Sequence, residues 1–497
     1  MTIEQFFLRR FQLQNFYGKN IPFHKENINI EADYNLADIV KNAFNAANIS
    51  GSVVDISFGP VISRVFFKLD NIKDIAAINS KNVTDIVKSA LAKGNQVNIS
   101  PDFNKQSTVA VDIPNDKRQF IPFGNCFDKI DHTQKLPVAI GVDTMGNPIS
   151  FDITSAPHML IAGATGSGKS VCINSIIMSL VANLNPDCFR LLLIDPKKVE
   201  FAPYRLLKTI YEEVTNEPKY AVQSLQNLVD DMEYRFDILA KAGVRKIEDF
   251  NKKILNSEPI PDISADEYRF MPYVVAVIDE FADLMMTKDE NGVCRNKEVE
   301  TLVCRIAQKA RAVGIHLVIA TQRPSVNVIT GVIKANIPTR IVFKVASAVD
   351  SKIMIGQAGA ETLLGKGDGF IQDDSGIRRF HGCFLSDDEI RNIVNRPAFC
   401  RKNEKEYVSF AFGMPFEYGG KYIALAFFKR YNALNFKAVN EIKPFLDWLA
   451  GLYHSKDHNL LTLTDPIFYY LKDLNETYQR LYGQKDATRE VASVTST

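Results

Sequence analysis

The sequence predicts an α/β protein organised around a parallel sheet, and three observations carry that prediction. Five short apolar runs stand between residues 157 and 385: HMLIA (158–162), RLLLID (190–195), VVAVIDE (274–280), HLVIATQ (316–322) and RIVFKV (340–345). Each is rich in Val, Ile and Leu and lacks polar alternation, the pattern of strands buried on both faces. Amphipathic helical stretches separate several of them, such as 297–313, where Val299, Leu302, Val303, Ile306, Ala310 and Val313 share one face. The first run leads straight into a glycine-rich turn and then a helix. Strand–helix alternation of this kind places helices over both faces of a mostly parallel sheet.

The elements follow in chain order. Residues 1–30 are aromatic-rich and aperiodic, and read as a leader able to dock elsewhere. Residues 31–140 mix strands and helices and predict a smaller α+β domain. Within it SVVDISFGPVISRVFF (52–67) alternates around a Gly59-Pro60 turn, and DIVKSALAKG (85–94) reads as a short helix stopped by Gly94. The polar patch DKIDHTQK (128–135) places a boundary near 140. The α/β core occupies 141–390, with TKDENGVCRN (287–296) as a polar surface loop. Residues 391–483 form a mixed C-terminal domain with strand-like 405–433 and helical 440–483. Its Ile467, Leu471, Leu474, Tyr478 and Leu481 recur at helical spacing, which suits packing against a core or a partner better than base stacking. Residues 484–497 are expected to be disordered.

Composition narrows the function classes. The chain has 497 residues, 46% hydrophobic and 24% charged, with 59 Lys+Arg against 58 Asp+Glu. Wholesale disorder and a uniformly basic nucleic-acid coat are both excluded; a local basic surface is not. The seven cysteines (126, 172, 188, 294, 304, 383 and 400) form no CxxC pair, so neither a zinc ribbon nor a redox motif is supported. Arg9 and Arg10 interrupt the N-terminal apolar stretch, which therefore does not read as a signal peptide. No apolar run reaches the ~18 residues of a membrane span. The expectation is a cytoplasmic protein with reduced thiols and no membrane span.

The sharpest motif is Gly163-Ala164-Thr165-Gly166-Ser167-Gly168-Lys169-Ser170, a complete GxxxxGK[ST] between an apolar run and a helix. Its glycines let backbone N–H groups face phosphate oxygens at a helix N-terminus. Lys169 then reaches the β- and γ-phosphates, and the Ser170 hydroxyl ligates Mg²⁺. The run 274–278 ends in Asp279-Glu280, two carboxylates at a strand tip. Asp279 suits a metal held through water, and Glu280 suits the general base that activates water. A third run ends in Thr321-Gln322, whose amide can sense a γ-phosphate. Arg311 lies off the apolar stripe of 297–313, and becomes catalytic only toward another subunit's nucleotide.

Together with IAQKARAVGIHLVIATQRPSVNVITGVIKANIPTRIVFKV, LLLIDPKKVEF and IGQAGAETLLGKGDG, these stretches resemble the motor of the FtsK/SpoIIIE double-stranded DNA translocases, over residues of about 50–390. The resemblance implies a RecA-like P-loop ATPase core at 141–390 preceded by the family's smaller α domain at 31–140. It further implies a homo-hexameric ring that burns ATP with Mg²⁺ while threading double-stranded DNA. Arg311 would be a finger acting in trans, and Arg323, Lys334 and Lys352 would be pore contacts to DNA. Lys352 stands where relatives often have Arg, and Ala348 where they often have Lys, so grip or speed can differ. Residues 323–352 hold Arg323, Lys334, Arg340, Lys344 and Lys352 against Asp350 alone, a net +4 suited to backbone neutralisation. Relatives often end in a winged-helix domain whose pattern is not recognisable in 391–497, a region that can instead engage a protein partner. The alternatives are a transport energiser of a secretion or conjugation channel, and a nucleotide-gated scaffold.

Overall fold

The computed structural model describes residues 21–400, apart from 31, 79–80, 92–96, 102–105, 186–187, 213, 216, 257, 265–266, 289–291 and 397–398. Of the C-terminal domain expected at 391–483, the part after 400 lies outside the described residues, as do its helical stripe 467–481 and the tail 484–497.

Among the described residues, fourteen strands make two sheets. β1 (Gly51–Phe58), β2 (Ile62–Leu69), β3 (Asn98–Pro101) and β4 (Thr108–Pro114) form an antiparallel sheet in the order β1-β2-β4-β3. The hairpin around Gly59-Pro60 appears where the alternating pattern placed it. Helix Leu36–Ala46 lays Val40, Ala43 and Phe44 on this sheet, with the Phe44 ring stacked on Phe67 at 4.3 Å.

The second sheet holds β5 (Ile121–Pro122), β6 (Pro137–Asp143), β7 (Pro148–Asp152), β8 (His158–Ala162), β9 (Phe189–Ile194), β10 (Tyr273–Ile278), β11 (Ile315–Thr321), β12 (Thr339–Phe343), β13 (Asp368–Asp373) and β14 (Gly376–Phe384). Its order is β7-β6-β14-β13-β12-β8-β11-β10-β9, with β5 beside β14. The five runs legible in the sequence are the parallel half, β12-β8-β11-β10-β9. Every residue of β8, β9, β10 and β11 is buried, so both faces are covered. The remaining strands pair antiparallel, apart from β5.

The division between sheets falls between Pro114 and Ile121, ahead of the boundary expected near 140. The polar patch 128–135 is a surface connection leading into β6, and β6 pairs with β14 in the large sheet. The described part of the leader, 21–30, runs along segment 119–127. Glu26 N–H donates to Asn125 Oδ1 at 3.2 Å, Asn125 Nδ2 donates to the Glu26 carbonyl at 2.7 Å, and Phe23 meets Phe123 edge-on at 4.7 Å. The stretch 297–313 is an α-helix only over Asn296–Lys309; Ala310–Val313 tightens into a 3₁₀ turn closed by Gly314 at φ +71°.

A buried ion cluster joins the two sheets. Arg379 on β14 makes two bonds to Asp368 on β13 (2.9 and 2.7 Å) and one to Asp112 on β4 (2.8 Å). Arg64 on β2 closes on the same Asp112 at 2.6 and 3.0 Å. Burial alone would raise the Asp112 pKa, but Arg379 and Arg64 outweigh it and hold it below the ordinary carboxylate value.

Candidate nucleotide-hydrolysis site

The strand order assembles the site. β11 lies between β8 and β10, so its C-terminal tip falls between the glycine-rich loop after β8 and the acidic pair after β10. That edge of a parallel sheet is where ligands bind. The loop is tied to both neighbours: Gly163 N–H donates to the Thr321 carbonyl (3.3 Å) and Ala164 N–H to the Lys344 carbonyl (2.8 Å).

Residues 163–170 form a cradle that other residue types would fill. A Cβ at Gly163 would stand 2.4 Å from Ser167 Oγ, and one at Gly168 2.7 Å from the Gly367 nitrogen, where φ is also +118°. The helix then starts at Lys169 and runs to Asn183. The Ser167 hydroxyl is buried beside the turn without a hydrogen-bond partner, as expected of a group whose partner is a phosphate oxygen. The cradle opens into a cleft of about 440 Å³ lined by Thr165, Gly166, Lys169, Ser170, Glu200, Gln322 and Lys366, among others. Phe120 and Phe384, both exposed, stand in its wall with ring centroids 5.3 Å apart, a ledge against which a base can stack.

The predicted residues meet here. Lys169 Nζ donates to Asp279 Oδ1 at 2.6 Å and to the Asp279 carbonyl at 2.9 Å, both side chains being buried. Glu280 accepts from Thr321 Oγ1 (2.7 Å), and Gln322 N–H is 3.2 Å from each of its oxygens. Thr165 Oγ1 donates to Gln322 Oε1 at 3.0 Å, which links the cradle to the β11 tip.

Sequence reasoning missed the loop after β9. Asp195 anchors it by accepting from Lys197 N–H (3.2 Å) and Phe201 N–H (3.0 Å). Lys197 Nζ then reaches Glu280 Oε2 at 3.1 Å, and Glu200 Oε1 accepts from Ser170 Oγ at 2.9 Å. The quoted stretch LLLIDPKKVEF contained both residues, but only a tip-to-tip distance reveals what they touch. Phe120 and Phe384 were missed for the same reason.

Mg²⁺ fits the donor set. The Ser170 hydroxyl spends its hydrogen on Glu200 and keeps its lone pairs for a cation. Burial raises the Glu200 pKa, and Asp279 and Asp195 push the same way, while the Ser170 hydrogen bond and Lys169 oppose them. Among the described residues no cluster of three His, Cys, Asp or Glu could hold a metal by itself.

Arg311 is exposed and sits on the 3₁₀ turn that precedes β11, at the opposite edge of the sheet. Its charge acts on His158 and His316, which open β8 and β11; burial above all holds these imidazoles at about 3 and about 4. A strand of about six residues spans roughly 20 Å, so Arg311 cannot serve its own chain's cradle. Fully buried Arg235 donates to the Pro272 and Val313 carbonyls (2.8 and 3.0 Å) and fixes that turn.

Arg323 is exposed just after β11, Lys334 is half-buried on helix Gly331–Asn336, and Lys352 is exposed on helix Ala348–Ile355. Arg340, counted with them in the net charge of 323–352, is not a free cation. It donates to the Lys334 and Met354 carbonyls at 2.9 Å each, bracing the two helices beside each other. The seven cysteines, all among the described residues, form no disulfide. No described helix is long and apolar enough to cross a membrane.

The FtsK/SpoIIIE family model matches residues 129–326. The DNA translocase FtsK of Haemophilus influenzae is 39% identical over 367 residues, covering 70% of this chain and 68% of that protein. Its Corynebacterium glutamicum namesake is 37% identical over 390 residues, covering 77% of this chain but 41% of that protein. Against the Corynebacterium and Staphylococcus proteins of that name, the chain spans less than half their length. Among solved structures, the conjugation coupling protein TcpA of pCW3, a monomer with ATPγS, aligns over 71% of this chain and 96% of its own. Its TM-score of 0.49 and 24% identity are too low to bear on function. The match to the family model, together with the Haemophilus relative, places this chain in the FtsK/SpoIIIE family.

Proposed function

We propose that this chain is an ATP-driven translocase of double-stranded DNA that works as a ring of six copies. The observation that carries the reading is the split site. Lys169, Ser170, Asp279, Glu280 and Gln322 converge around one cleft, while Arg311 is exposed at the far edge of the same sheet. A complete site then needs Arg311 from a neighbouring copy, as a ring supplies.

Lys169 exchanges Asp279 for the β- and γ-phosphates when ATP enters, so its charge remains paired throughout. Mg²⁺ held at Ser170, with Asp279 behind it, would neutralise phosphate charge. Glu280 takes the proton of the attacking water, and Gln322, hydrogen-bonded to the cradle, registers the γ-phosphate. Arg323, Lys334 and Lys352 are proposed to meet the DNA backbone from the loops and helices after β11 and β12. Phosphate contacts of this kind are independent of sequence and sensitive to salt.

The test is steady-state ATPase activity with long linear duplex, with single strands and without DNA, at two salt concentrations, alongside light scattering for mass. Strong stimulation by duplex alone, fading with salt, and a mass of six chains on DNA support the reading. Equal or absent stimulation overturns it in favour of transport through a secretion or conjugation channel.

A further inference from the structure

We propose that Lys197 is a positioning residue that restrains Glu280, and that movement of loop 195–200 releases the carboxylate for turnover. This rests on the reading of Glu280 as general base. A base must offer a free lone pair to water, yet here both Glu280 oxygens are taken. Oε1 accepts from Thr321 and Gln322 N–H, and Oε2 from Lys197 Nζ (3.1 Å) and Gln322 N–H.

The donors differ in their freedom to leave. Thr321 and the Gln322 N–H belong to the tip of β11, the buried strand between β8 and β10, and move only with the sheet. Lys197 hangs from a surface loop. Its side chain is 39% exposed, against 2% for Glu280, so the ammonium can pass into water while the carboxylate cannot. Lys198, next to it, holds φ at +63°, a left-handed conformation that a side chain disfavours, so the loop is poised to relax. The far end of the same loop is Glu200, bonded to Ser170 in the cradle. Events at the cradle and the grip on Glu280 are therefore connected through six residues, 195–200.

Two measurements on the full chain test this. In steady-state hydrolysis without DNA, Lys197→Met raises kcat about tenfold with KM for ATP unchanged, as loss of a charge-assisted hydrogen bond that favours the idle state requires. Lys197→Arg, which keeps a charged donor, raises it much less. In trace acylation of the nucleotide-free protein, read by mass spectrometry, the Lys197 amine is protected relative to Lys198, and Glu280→Gln removes that protection. A fall in kcat or a rise in KM for Lys197→Met would place Lys197 on the substrate and overturn the restraint. Equal labelling of Lys197 with and without the Glu280 carboxylate overturns it as well. Normal hydrolysis by Glu280→Gln removes the general-base reading and the inference together, whereas failure of Lys197→Met alone leaves that reading standing.

Discussion

Two charged clusters of this molecule use the same residue types to opposite ends. At the junction of the sheets, Arg379 is gripped twice by Asp368 and once by Asp112, and all three side chains are at most 2% exposed. In the cleft, Lys169, Lys197 and Ser170 each hold one carboxylate, and Lys197 and Glu200 have access to water. A bidentate guanidinium with every partner buried has nowhere to go, because breaking it strands charge in a dry interior. The single bonds that Lys197 and Ser170 make beside the cleft have a path to water and can be exchanged at small cost. Lys169, buried with two bonds to Asp279, can be exchanged only for a ligand that replaces the negative charge. The difference teaches which ion pairs hold the fold and which await chemistry: a path to water, or a cleft that admits an anion, separates them.

The largest expected effect breaks the cleft side of the comparison. Glu280→Gln should lower kcat for ATP hydrolysis by about 10²–10⁴-fold while leaving nucleotide affinity and thermal stability near wild type. Lys169→Ala should abolish nucleotide binding, read by titration with a fluorescent analogue. On the junction side, Arg379→Met should cost about 3–5 kcal/mol in chemical denaturation, because it leaves Asp112 and Asp368 buried with less charge compensation.

pH sharpens the contrast. Asp112 is depressed in the folded state, so its contribution to stability is complete above its unfolded value, near 3.8, and is lost as pH falls below that. Denaturation between pH 3 and 6, values chosen on the order of the ordinary carboxylate range, should show that loss in the wild type and a weaker one in Arg379→Met. Glu200 has the opposite sign. Its pKa is raised, so its ionised form costs stability at neutral pH. The smallest effect follows: Glu200→Gln should slightly raise the melting temperature of the nucleotide-free protein at neutral pH, and the gain should vanish below the ordinary glutamate value of 4.5.

Much of the site was legible because its signals are local. GxxxxGK[ST] encodes a turn and a helix start within eight residues, and Asp279-Glu280 and Thr321-Gln322 each end an apolar run that could only be a buried strand. The boundary expected near 140 rests on a polar patch, and the sheets part earlier, between Pro114 and Ile121, because a polar surface turn and a linker have the same composition. Apolar spacing carries the expected helix to 313, but it continues through a 3₁₀ turn, Ala310–Val313, that Gly314 ends, so the α-helix itself stops at Lys309.

The sequence by itself determined the chemistry on offer: a phosphate cradle, a strand-tip acid pair, an amide at a third tip, and an arginine off the apolar stripe. Only the tertiary structure decided which of these meet. It set β11 between β8 and β10, so that Thr321 and Gln322 bridge the glycine-rich loop and Glu280, and it sent Arg311 to the far edge. It also brought Lys197 and Glu200 onto Glu280 and Ser170, and Arg379 onto Asp112. The physical reason is that strand order and loop path are fixed by packing between segments far apart in the chain, whereas turns, caps and buried runs are fixed by neighbours a few residues away.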